Sequence, residues 1–236
     1  MSKSKKDFKI KKRDLNKDFQ KRVLDIFSQL KIGKHYQPLP YKLPIYNERE
    51  ELIAILRPLN IKTLQNNMEI SLLSKWRKEN SFAFPSQFKV TLKGTKIWLE
   101  KQFIYNPSRI LFFIEDTAKK PKLVGHLGLY SFDFQACTCE VDNVVRGEKN
   151  YMKGIMTLAL KALLKWTCNE LKPKQIFLRV FSDNDRAVNY YKRCGFVNYE
   201  LIPLRKIAKP NMIIWEEDNT LENADKYFLK MILKRY

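Results

Sequence analysis

Asn184-Asp185-Arg186-Ala187-Val188-Asn189-Tyr190-Tyr191-Lys192-Arg193-Cys194-Gly195-Phe196 is the stretch on which the fold turns. Ala187, Tyr190, Tyr191 and Cys194 recur at i, i+3, i+4 and i+7, the spacing of one helical face. Asp183 or Asn184 stands where a side-chain oxygen caps the first free amides, and Gly195 ends the helix because glycine adopts the left-handed conformation without strain. Upstream, the apolar run Gln175–Phe181 predicts a buried strand. Downstream, residues 196–204 and 227–234 predict two more strands, separated by an acidic loop over 216–225.

Working outward, residues 154–171 carry Ile155, Leu158, Ala159, Ala162 and Trp166 on one face of a long helix, broken at 172–174. Residues 109–115, 123–132 and 138–145 predict three strands with short connections, the first pair joined by the polar turn 116–121, and so an antiparallel meander. Before them come a strand over 52–59, a helix through Ile70, Leu73 and Trp76, a loop over 80–86 containing Pro85, and a helix over 95–103. Residues 1–13 are expected to form a disordered basic arm. An amphipathic helix follows over 15–30, where Phe19, Val23, Phe27 and Leu30 share a face that packs on the domain or on a second subunit in a homodimer. Residues 35–46, with Pro38, Pro40 and Pro44, cannot be helical and predict an extended connector. The expected division is an extension over 1–46 and a domain over 47–236.

Composition narrows the classes. A chain of 236 residues, 44% hydrophobic and 13% aromatic, can bury one substantial core. Its apolar runs fall well short of the roughly 20 residues that span a bilayer. The start, Met-Ser-Lys-Ser-Lys-Lys, lacks the apolar stretch of a secretory signal, and a cytoplasmic location is expected. Cys137, Cys139, Cys168 and Cys194 lack paired zinc spacing, with only His35 and His126 to complete a site, so reduced thiols and no metal are expected. The net charge is +20, and residues 1–35 hold twelve Lys or Arg against four Asp. The remaining body is basic as well, and such a field attracts phosphorylated small molecules, acidic membrane surfaces or nucleic acid.

Two motifs carry chemistry. Tyr151-Met152-Lys153-Gly154-Ile155-Met156, followed by Thr157, leads into the long helix. There, backbone N–H groups without intrahelical partners offer donors and partial positive charge to a pyrophosphate. The second is Asn184-x-x-Ala187-x-x-x-Tyr191-x-x-x-Gly195-Phe196, whose spacing places Asn184, Ala187 and Tyr191 on one helical face.

With the order of elements, these motifs make the chain resemble the GNAT acetyltransferase superfamily from about Leu52 onward. The resemblance implies an α+β fold, the acyl-CoA N-acyltransferase architecture: a mixed, mostly antiparallel central sheet flanked by helices, here with an N-terminal helical extension. It implies acetyl transfer from acetyl-CoA to a primary amine. The turn Tyr151–Met156 then seats the coenzyme's pyrophosphate, with Tyr151 standing in place of the family's Gln or Arg and Met156 in place of a small residue. Backbone groups of Asn143, Val144 and Val145 pair with the pantetheine arm, and the N–H near Val144 polarises the thioester carbonyl. Asn184, Ala187 and Tyr191 lie along the coenzyme, with Tyr191 as general acid. Glu140 is the first candidate base and Asp142 the second.

The segment holding Trp76, Arg77, Asn80 and Phe84 is expected to line the acceptor pocket, with His126 packing or orienting the substrate. It is similar to enzymes that acetylate nucleotide-linked deoxyamino sugars for surface polysaccharides. Acetylation of protein N-termini, as on ribosomal proteins, is the competing acceptor. A non-catalytic nucleic-acid or ribosome-binding module, supported by the basic arm, is the competing class.

Overall fold

The computed structural model describes residues 3–32 and 42–234, for residues 3–15 the backbone alone. Its α+β architecture is a ten-stranded mixed sheet flanked by helices, with strand order β1-β2-β4-β5-β6-β7-β10-β8-β9-β3. The strands are β1 Leu43–Tyr46, β2 Leu52–Pro58, β3 Ser86–Phe88, β4 Ile110–Asp116, β5 Leu123–Asp133, β6 Thr138–Arg146, β7 Gln175–Phe181, β8 Phe196–Lys209, β9 Met212–Glu217 and β10 Lys226–Leu233. The helices are α1 Lys3–Ile32, α2 Asn67–Glu79, α3 Leu92–Leu99, α4 Ile155–Trp166 and α5 Asp185–Arg193. Among the described residues no helix is long and apolar enough to cross a membrane.

The meander appears as expected, β4 to β5 to β6, all antiparallel. α4 then carries the chain across to β7, which runs parallel to β6. Side chains alternate across the sheet. Ile110, Phe112 and Ile114 of β4 join α4 and the Phe19, Val23, Phe27 and Leu30 face of α1 in one core. Leu111 and Phe113 join Leu73 and Trp76 of α2 and Leu99 of α3 in a second.

Several expectations are corrected. The N-terminal helix begins at Lys3 where a disordered arm was expected over 1–13; lysine is a good helix former, and a charge run does not by itself prevent a helix. Of the expected connector, residues 35–41 lie outside the described residues, and its last part is β1, an edge strand on β2 where Pro44 costs no interior ladder bond. The second helix begins earlier, at Leu92, because the Thr91 hydroxyl oxygen accepts from Gly94 N–H at 3.0 Å. The strand expected to end at residue 204 continues to Lys209 and returns as β9, with Asn211 in the turn at φ 64°. β3, a strand of three residues, completes the far edge on β9.

Candidate active site

The site forms where two neighbouring strands part. β6 and β7 pair only at Thr138, Cys139 and Glu140, opposite Gln175, Ile176 and Phe177. Beyond that point β6 continues to Arg146 on β5 alone, and a gap opens between the two parallel strands. Within the gap β6 is irregular. Gly128 pairs with Asp142 and His126 with Val145, so Asn143 and Val144 together face Leu127. This is a β-bulge. Asn143 adopts φ 52°, a conformation Asn and Asp reach more cheaply than other non-glycine residues. Cys139 and Val141 face the α4 core before the bulge, while Val145 faces the Trp76 core after it; the extra residue has reversed the strand.

The bulge is held from β5. His126 Nδ1 lies 2.8 Å from the Asn143 carbonyl oxygen. Burial lowers the His126 pKa to about 4, against the opposing influence of that hydrogen bond and of Asp142, with Arg77 adding to the lowering. The ring is therefore neutral at physiological pH, and because a carbonyl only accepts, Nδ1 carries the proton and donates.

Glu140 and Asp142 share a strand face two residues apart, and both are paired. Glu140 accepts from Arg179 Nε at 2.9 Å and Nη2 at 2.6 Å, a bidentate fork. Burial pushes the Glu140 pKa upward while Arg179 opposes the shift. Arg179 also pairs with Glu217 at the end of β9. Asp142 accepts from Arg109 Nη2 at 2.5 Å and from Asn143 Nδ2 at 2.6 Å. Its side chain is 26% exposed, that of Glu140 7%. Arg109 in turn lies over the rings of Phe103 and Tyr130.

Tyr191, on α5, packs beside the rings of Tyr190 and Phe196 and feels the charge of both carboxylates. Burial, and then the negative charges of Asp142, Cys194 and Glu140, raise its pKa well above the ordinary phenol value. The phenol keeps its proton throughout the physiological range. The neighbouring Tyr190 donates to the Met156 carbonyl at 2.8 Å, tying α5 to the first turn of α4. Asn184 caps α5, its side-chain oxygen accepting from Ala187 N–H at 3.2 Å. Ala187 packs on the main core.

The turn before α4 is shaped by left-handed residues, Met152 at φ 50° and Gly154 at φ 87°. Ile155 N–H bonds to the Met152 carbonyl and Thr157 N–H to the Gly154 carbonyl; those of Lys153, Gly154 and Met156 have no acceptor among the described residues. Nothing lies within 4 Å of where a Gly154 side chain would begin. Ile155 and Met156 bury their side chains in the core. Tyr151, expected at the coenzyme's pyrophosphate, is engaged by its neighbours through both side chain and backbone. Its hydroxyl donates to Asp116 Oδ2 at 2.5 Å, and its carbonyl accepts from Arg146 Nη2 at 2.9 Å. The residue braces the turn from beneath.

In the segment expected to line the acceptor pocket, Trp76 is corrected from the exposed role expected of it. It is 0% exposed, and a Cβ on Gly147 would lie 2.0 Å from its ring, so it belongs to the packing under the site. Arg77 is half-buried, its guanidinium carbon 3.7 Å from the Phe84 ring centroid and 5.2 Å from that of Phe88. Its Nη2 donates to the Ser86 carbonyl at 2.5 Å, while Nη1 is buried without a hydrogen-bond partner among the described residues. Burial lowers its pKa to about 10, leaving it cationic at neutral pH. Sequence reasoning missed Arg109, Arg179 and Glu217. The signal available was Arg179 inside an apolar strand, because a charge in such a run requires a partner.

The sequence matches the family described as Acetyltransferase (GNAT) domain over residues 54–197. No curated protein matches it. Among solved structures it is similar to a spermidine N-acetyltransferase from Vibrio cholerae in complex with CoA and spermine. That match has 18% identity and a TM-score of 0.52, over 76% of this chain and 94% of the other. It is similar too to a spermidine/spermine N-acetyltransferase from Vibrio cholerae in complex with manganese ions, with 18% identity and a TM-score of 0.52 over 77% and 92%. At these identities the likeness is one of fold.

Proposed function

This chain belongs to the GNAT acetyltransferase family, an acetyl-CoA-dependent N-acetyltransferase acting on an amine, and from that premise we propose that its acceptor is an amine carried on an anionic small molecule, a nucleotide-linked amino sugar. The observation that carries this reading is Arg77. It stacks on Phe84 and Phe88 and retains an unpaired Nη1 donor, the combination that binds a phosphate or carboxylate beside a ring. The polyamines named for the Vibrio proteins would need a surplus of carboxylates. Here Glu140 and Glu217 share Arg179 and Asp142 pairs with Arg109, so each of these carboxylates is already engaged by an arginine.

The residues fit the coenzyme. Free amides of Lys153, Gly154 and Met156 suit its pyrophosphate, and the gap between β6 and β7 suits its pantetheine arm, with Asn143, Val144 and Val145 supplying backbone partners. When bound, the coenzyme supplies an acetyl thioester. The Val144 N–H polarises the carbonyl. Asp142 is preferred to Glu140 as the group that receives the amine proton, directly or through water, because it is the more exposed and is not held in a bidentate fork. The new C–N bond forms as the C–S bond breaks, and the Tyr191 hydroxyl gives its proton to the departing sulfur.

Release of free coenzyme A thiol tests this across a panel of nucleotide-linked amino sugars, free amino sugars, spermidine and peptides. The nucleotide-linked sugars should turn over fastest, and Tyr191→Phe should lower kcat roughly 10²- to 10³-fold. Preference for spermidine, or full activity in Tyr191→Phe, would contradict the acceptor or the acid assignment respectively.

A further inference from the structure

We propose that His126 is a positioning residue for acetyl transfer: by donating Nδ1–H to the Asn143 carbonyl it fixes the bulged Asn143–Val144 peptide and strengthens the N–H of Val144 as a donor to the thioester carbonyl. This rests on the proposed role of the Val144 amide. The carbonyl that His126 engages and the N–H assigned to polarisation are two ends of one peptide unit. A hydrogen bond accepted at the C=O polarises that unit and makes its N–H a better donor. Catalysis by an oriented amide gains most when the amide is fixed before the reaction begins.

The surroundings are built for such a contact. Asn143 is held at φ 52°, which a flexible strand would not retain unless its surroundings fixed it. β5 approaches closely here: a Cβ on Gly125 would lie 2.3 Å from the Val145 carbonyl oxygen, and one on Gly128 2.1 Å from that of Ile110. Gly125 lets β5 lie tight against β6 beside the bulge, and Gly128 lets it lie tight against β4 on the other edge, so the strand that carries His126 is held closely from both sides. The ring is 3% exposed, with the Trp76 ring centroid 6.0 Å away, so water cannot readily replace the donor. Asp142 and Arg77 are the charges acting on it, with opposite effects, and burial keeps it neutral. His126 therefore serves as a fixed donor and takes no part as a base.

The test compares the wild type with His126→Phe, which removes the donor, and His126→Asn, whose amide nitrogen can occupy the place of Nδ1. One readout is the carbonyl stretch of a bound, ¹³C-labelled ketone analogue of acetyl-CoA with CH2 in place of sulfur; another is the ¹⁵N shift of the Val144 amide in the free protein. The wild type should lower the carbonyl frequency on binding. His126→Phe should lose most of that shift, move the Val144 resonance, and reduce kcat roughly tenfold to hundredfold with the acetyl-CoA KM nearly unchanged, and His126→Asn should recover much of each.

A wild-type carbonyl that does not shift would remove the role of Val144, and this inference with it. A wild-type shift that persists in folded His126→Phe, with Val144 unmoved, would overturn the inference alone. Independently of any variant, ¹⁵N spectra of the wild type must show the His126 proton on Nδ1; a proton on Nε2 alone overturns the proposal even if His126→Phe does not fold.

Discussion

α4 and α5 are tied where the Tyr190 hydroxyl of α5 donates to the Met156 carbonyl in the first turn of α4, and the N-termini of the two helices are finished in opposite ways. α5 is closed by its own residues: Asn184 caps Ala187 N–H, and Asp185 supplies negative charge in the first turn. α4 begins at Gly154 with no side-chain cap and no acidic residue in its first turn. Leaving donors unpaired at a helix start forgoes about 1 kcal/mol that a capping side chain would contribute. The open end is the one that faces space and follows a left-handed glycine. The contrast separates a helix start completed by its own residues from one whose end stays open, the seat proposed above for the coenzyme's phosphates, and Asn184, expected along the coenzyme, caps α5.

The contrast can be broken by exchanging the two designs. Gly154→Asp puts a carboxylate at the open turn, and its dissociation constant for coenzyme A should rise about 100-fold by like-charge repulsion; unchanged affinity in calorimetry would mean the phosphates sit elsewhere.

A third helix end sharpens the point, because Lys31 in the last turn of α1 is buried and donates to the Asn106 carbonyl. Burial lowers its pKa from 10.5 to about 7. The unfolded chain therefore holds more protons than the folded one between about pH 7 and 10.5, and stability should climb with pH across that window. Lys31→Met should flatten the climb and stabilise the protein at pH 7 by about 1–2 kcal/mol; an undiminished pH dependence in denaturant melts would assign it to other groups. The smallest effect is at the closed end. Asn184→Ala should lower stability by about 1 kcal/mol while coenzyme A affinity stays nearly constant, whereas a large loss of affinity would return Asn184 to the coenzyme.

The region around α4 and α5 was legible because local chemistry decides it. Helical spacing, the caps and the apolar strand between them lie within one short stretch of chain, and the structure reproduces them. The region expected to bind the acceptor was less legible because distant pairings build it. β3 exists only through its partner β9, and nothing in Ser86–Phe88 announces a strand. The β8–β9 hairpin did leave a signal in Pro210-Asn211, turn residues between two alternating runs. Trp76 shows two kinds of reasoning in conflict. Its spacing with Ile70 and Leu73 marks a buried face, and that was a better guide than the acceptor role implied by resemblance. The bulge at Asn143 had no visible signal, because one extra residue in a strand appears only when its partner's register is known.

The claim on which the rest depends is that the amides opening α4 receive the coenzyme's phosphates. Titrating ¹⁵N-labelled protein with coenzyme A tests it most directly. The amide resonances of Lys153, Gly154 and Met156 should shift strongly downfield while that of Ala187, already bonded to Asn184, stays nearly still. Shifts at Ala187 with none at Lys153, Gly154 or Met156 would contradict it.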